Sequence, residues 1–108
     1  MNNLATAVND ILTECREDYV GLWSVIRQLR RGGIEEAAVF ETTMNLLSTW
    51  LHEGKIVAGS FDTRIDNDFH VWQMSPDEAL ARIAREWRGL GHDPNLGDVV
   101  WITTAPPS

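Results

Sequence analysis

Between Glu35 and Met74 the hydrophobic pattern changes its period once, and that change restricts the folds open to the chain. Val39, Thr43, Leu46, Leu47, Trp50 and Leu51 recur at the spacing of one helical face, which predicts a helix from Glu35 to about Glu53. Gly54-Lys55 ends that run. Ile56–Phe61 and Phe69–Met74 are rich in strand-forming residues and flank the loop Asp62-Thr-Arg-Ile-Asp-Asn-Asp68, so they read as a β-hairpin. A long helix feeding directly into a hairpin places the chain in the α+β class, with helices laid against an antiparallel sheet.

The flanking segments complete the order. Leu4, Val8, Ile11, Leu12 and Cys15 form one helical face, which predicts a helix over residues 3–17 capped by Asn2 or Asn3. The pattern breaks at Glu17–Gly21, leaving Tyr19-Val20 as a two-residue strand. Leu22, Val25, Ile26 and Leu29 restart the helical period over 21–31, and Gly32-Gly33 ends it. In Ser75-Pro76-Asp77-Glu78, Ser75 can cap a helix, Pro76 suits its first turn and Glu78 closes a capping box. Leu80, Ile83, Ala84 and Trp87 give that helix its buried face. Glu78–Arg82 and Arg82–Glu86 give it surface pairs one turn apart, and Gly89 and Gly91 stop it. Val99–Thr104 reads as a last strand joining the hairpin. Helix, short strand, helix, helix, two-stranded wing, helix, strand is the order expected of a winged-helix-like α+β domain. It occupies residues 1–104, with 105–108 as a flexible tail.

A chain of 108 residues suits a single domain. Roughly two-thirds of the unfolded surface is buried in a domain of this size, enough for a core without disulfides or metal. The single Cys15 has no partner for an internal disulfide, lies on an apolar helix face, and fits a reducing compartment. Met1-Asn-Asn-Leu4 lacks a basic leader region, and no apolar run is long enough to span a bilayer. The expectation is a cytoplasmic protein that does not engage membranes.

Charge separates the remaining function classes. The net charge is −7. Nucleic-acid binding draws on phosphate neutralisation by Lys and Arg. In a DNA-binding winged helix the third helix and the wing would meet the duplex. Here that helix carries Glu35, Glu36, Glu41 and Glu53 and no Lys or Arg, and the wing loop carries Asp62, Asp66 and Asp68. The dense basic cluster, Arg27, Arg30 and Arg31, sits on the second helix, where the spacing puts all three on one face. An acidic surface instead accelerates encounter with a basic partner.

Motifs for chemistry are absent from the sequence. The glycines never form a nucleotide-binding loop. His52, His70 and His92 stand apart in sequence. Counted from Asp62, the wing acids fail the calcium-loop pattern, with Arg64 and Gln73 where ligands are needed. No Ser or Cys is marked by a positioned base. The expectation is a non-catalytic protein without cofactor or metal. Of the five tryptophans, most suit a core, but one exposed beside acidic residues would make a protein-binding hot spot.

Trp72-Gln-Met-Ser-Pro-Asp-Glu-Ala-Leu-Ala-Arg-Ile, Glu86-Trp87 and Gly91-His-Asp-Pro-Asn-Leu-Gly-Asp-Val-Val-Trp101 together resemble a group of small acidic bacterial proteins of unassigned function. Tyr19-Val-Gly-Leu-Trp23 and Leu51-His-Glu-Gly-Lys-Ile-Val-Ala-Gly59 fit the same pattern. The resemblance implies a shared winged-helix-like fold. In size and charge the chain is also similar to immunity proteins that neutralise toxins, which implies a protein partner.

The combined expectation is a protein-binding module, immunity- or antitoxin-like, that masks a basic partner such as a nuclease toxin. Its candidate contacts are Glu36, Glu41, Asn45, Asp62, Asp66 and Asp68. The alternative is a DNA-binding transcriptional regulator with Arg27, Arg30 and Arg31 on phosphates. A third option is a homodimer that pairs through the wing or the terminal strand.

Overall fold

The computed structural model describes residues 4–61, 68–95 and 97–104. The elements are α1 (Leu4–Glu17), β1 (Val20–Gly21), α2 (Leu22–Arg31), a 3-10 turn (Glu36–Ala38), α3 (Val39–His52), β2 (Ile56–Phe61), β3 (Phe69–Val71), α4 (Pro76–Leu90) and β4 (Trp101–Thr104). The class is α+β, with four helices and a four-stranded antiparallel sheet. The expected caps Asn2 and Asn3 and the tail at 105–108 lie outside the described residues.

Local boundaries differ from the sequence reading in ways that have physical causes. The long helix begins at Val39 rather than Glu35. No side chain caps its start, so the chain enters through the 3-10 turn after an extended Glu35. The short strand is Val20–Gly21 rather than Tyr19-Val20. The second hairpin strand ends at Val71, although the Trp72 N–H still donates to the Ala58 carbonyl at 3.0 Å.

The capping box forms as expected. The Glu78 N–H donates to Ser75 Oγ at 3.2 Å and the Ser75 N–H donates to Glu78 Oε1 at 3.3 Å. Such a cap stabilises a helix by about 1 kcal/mol. Glu78 is thereby committed, and Arg82 instead donates to Glu86 at 2.6 Å. The buried stripe of α4 is Ala79, Ile83 and Trp87, with Leu80 only partly covered. Gly89 lies within the helix, which stops at Gly91, where φ of +73° suits glycine.

The strand order is β1-β4-β2-β3. The C-terminal strand joins the hairpin through β2, and it also draws β1 into the same sheet. Ile102 stands between Val20 and Ala58, and Trp101 between Gly21 and Gly59. Strand side chains alternate between faces, so this register gives the sheet two distinct surfaces. Val20, Ile56, Ala58 and Ile102 are buried in the core with Ile11, Val25, Leu29, Leu47 and Ile83. Trp101, Phe61, Phe69 and Val71 fall on the opposite face.

The chain enters β4 through a tight γ-turn. The Val100 N–H donates to the Asp98 carbonyl at 2.9 Å around Val99, whose φ is +70°. A β-branched residue rarely adopts that conformation, and the turn is held because Val100 is buried and its carbonyl accepts from the Leu22 N–H at 3.1 Å. Among the described residues, no helix is long and apolar enough to cross a membrane.

Candidate functional site

The acids expected to meet a partner are not all equally available. Glu41 and Asn45 are exposed one turn apart on α3. Asp68 is exposed beside β3. Asp62 and Asp66 lie outside the described residues. Glu36 is engaged within the molecule, where Arg30 Nε donates to its Oε2 at 3.0 Å and Arg30 Nη2 to its other oxygen.

The same bond divides the basic cluster. Arg30 also donates to Asp93 Oδ2 at 3.0 Å, and these carboxylates hold its guanidinium above the ordinary arginine value, with its hydrogen bond to Glu36 the largest cause. Arg27 lies over the Trp23 ring, 4.9 Å from its centroid. Arg27 and Arg31 are exposed, but Arg30 is drawn to the loop that follows α4. Sequence spacing placed these three residues on one face and gave no sign of the two acids that draw one of them away.

A second surface is built by the sheet face opposite the core. Alternation puts Phe61, Phe69 and Trp101 there, and the Tyr19 ring joins them from the segment before β1. Tyr19 stands 4.7 Å from Phe69 and 5.1 Å from Phe61, and Phe61 meets Trp101 edge-on at 5.5 Å. Close packing of the layer requires glycine at position 59. A Cβ there would meet the His70 carbonyl at 2.4 Å and the Phe69 ring at 2.5 Å. Tyr19 and Val71 remain 42% and 41% exposed, the two exposed large hydrophobics among the described residues.

At one edge of this layer, where α1 ends and α2 begins, a cavity of about 360 Å³ opens between Tyr19, Trp23 and Trp101. Glu14, Glu17 and Asp18 line it as well. The Asp18 Oδ1 accepts from the Tyr19 N–H at 2.7 Å, and Glu14 Oε2 accepts from Gln28 Nε2 at 2.7 Å. Both partners are uncharged, so these bonds orient the carboxylates without neutralising them. Among the described residues no cation pairs with any of the three. The sequence singles out an exposed tryptophan beside acids, whereas here Trp23 and Trp101 are half-buried and Tyr19 is the exposed ring. What the sequence lacked was the β1–β4 pairing that brings Trp101 beside Tyr19 and Trp23.

Catalytic features are not gathered at this surface. Cys15 is 1% exposed, and burial, assisted by Glu14, pushes its thiol up to about 12, far from nucleophilic at neutral pH. His52 Nδ1 lies 2.8 Å from the Ser48 carbonyl and Nε2 lies 3.0 Å from Asp77 Oδ1. That histidine ties the end of α3 to the start of α4. Among the described residues, no three His, Cys, Asp or Glu side chains are grouped to hold a metal ion. Compared with known proteins, the chain matches no protein family, no curated protein and no solved structure.

Proposed function

We propose that the chain is a non-catalytic protein-binding module of winged-helix-like architecture. It is an immunity- or antitoxin-like protein of the cytoplasm that masks a basic partner such as a nuclease toxin. The observation that carries this reading is the disposition of charge. Arg27, Arg30, Lys55, Arg82 and Arg88 are each held against the chain's own acids or rings. Glu14, Glu17, Asp18 and Glu41, by contrast, have no ion pair among the described residues. Arg16, Arg31 and Arg85 are exposed as well, but with a net charge of −7 and these acids unpaired the surface as a whole attracts basic partners and repels phosphate. In favour of the winged-helix comparison, α3 precedes a hairpin that shares a sheet with β1. The central position of β4 is a departure from the simplest such arrangement.

Exchanging Glu41, Asp62 and Asp66 for Lys should slow association with the partner and flatten its salt dependence. Unchanged association and salt slope would place the interface elsewhere on the protein. The alternative of a DNA-binding regulator rests on Arg27, Arg30 and Arg31. If it holds, neutralising the three lowers DNA affinity and the salt slope together. The expected homodimer through the terminal strand does not stand, since β4 lies between β1 and β2 inside the sheet; a homodimer joined through the wing would give twice the chain mass in light scattering at micromolar concentration.

A further inference from the structure

We infer that the cavity between Tyr19, Trp23 and Trp101 receives the side chain of an arginine on the basic protein partner. This rests on the reading above that the partner is a basic protein, and it names the chemistry of one contact.

Three features converge. The first is shape: the cavity opens beside three aromatic rings, and Gly21 contributes no side chain to it. A Cβ at Gly21 would rest 3.5–3.7 Å from the six-membered ring of Trp101, so glycine leaves that part of the indole uncovered. The second is charge: Glu14, Glu17 and Asp18 stand at the same cavity without a cation partner among the described residues. Ring faces and carboxylates both attract cations, and a cation seated there satisfies both. The third is the kind of cation. Guanidinium is planar, weakly hydrated and able to stack on a ring while donating sideways to carboxylates, which ammonium does less well. The molecule itself already uses arginine in this way, with Arg82 3.9 Å above Trp72 while donating to Glu86. Arg27 already lies over one lining ring, Trp23, from α2 but does not itself line the cavity, where three carboxylates outnumber it.

The test uses the full chain, labelled with nitrogen-15, and N-acetyl-arginine amide as probe. The indole N–H signals of Trp23 and Trp101 should shift saturably, while those of Trp50 and Trp87 stay in place as internal references. N-acetyl-citrulline amide, which has the same shape without charge, should not shift them. N-acetyl-lysine amide and tetramethylammonium should bind several-fold more weakly. Glu17→Gln with Asp18→Asn should weaken the arginine probe about three- to ten-fold, as removal of two partly exposed charges implies. Gly21→Ala should weaken it with no change of charge, and an unchanged set of reference indole signals shows that the fold persists. Equal response to citrulline, absence of a saturable shift, or tighter binding of lysine or tetramethylammonium overturns the assignment. Such a result leaves the basic-partner reading standing, with its contact elsewhere. Binding of the arginine probe without any basic protein partner being found overturns that reading and retains the site.

Discussion

The Arg30 guanidinium donates to Asp93, 63 residues further along the chain, and so ties the end of α2 to the loop that leads into β4. Glu36 completes the fork from the other side. The Arg30 side chain is 33% exposed, so solvent screens the pair. A double-mutant cycle of Arg30→Ala and Asp93→Ala, followed by urea unfolding, should give a coupling of about 0.5 kcal/mol. Strict additivity would mean that the bond contributes nothing to holding the loop.

Gly59→Ala should unfold the aromatic face. The added methyl overlaps the His70 carbonyl and the Phe69 ring, and the carbonyl, being backbone, cannot withdraw without moving β3. The expected loss is about 1–3 kcal/mol by chemical denaturation, in the range of overpacked sites. A variant as stable as the parent would show that the hairpin tolerates a wider spacing here.

Thr43→Val should have the opposite sign. Thr43 is fully buried in α3, and its hydroxyl has no hydrogen-bond partner among the described residues. Replacing that hydroxyl by a methyl of the same shape removes an uncompensated desolvation cost, and stability should rise by about 1 kcal/mol. A fall in stability would indicate that the hydroxyl is satisfied by bound water.

His52 should titrate above the ordinary histidine value. The Ser48 carbonyl is the largest cause and Asp77 adds to it. A raised folded pKa means that the contact contributes fully below the unfolded pKa and is lost as pH rises through the folded one. The histidine ring signals followed by NMR should show a lower midpoint in Asp77→Asn, without reaching that of an isolated histidine. An unmoved midpoint would assign the whole shift to Ser48.

Much of the fold was legible in the sequence because it depends on local patterns. The stripe from Val39 to Leu51, the Ser75–Glu78 box and the Ile56–Phe61 run each carry their own signal within a few residues. The start of α3 is not legible, because acids at 35 and 36 resemble a first helical turn while no side chain caps the helix there. The candidate site was legible only in fragments. Tyr19, Trp23 and Trp101 are visible as aromatics, but their meeting depends on β4 pairing with β1. Nothing local specifies a pairing between strands so far apart. The fate of Arg30 was hidden for the same reason, since Asp93 is distant in sequence.

The most direct measurement is affinity capture of the tagged full chain from its native lysate, with and without nuclease, at low and high salt. A basic protein retained in stoichiometric amount, unaffected by nuclease and released by salt, is the expected result. DNA that is retained and then lost on nuclease treatment would contradict it and would return attention to Arg27, Arg30 and Arg31.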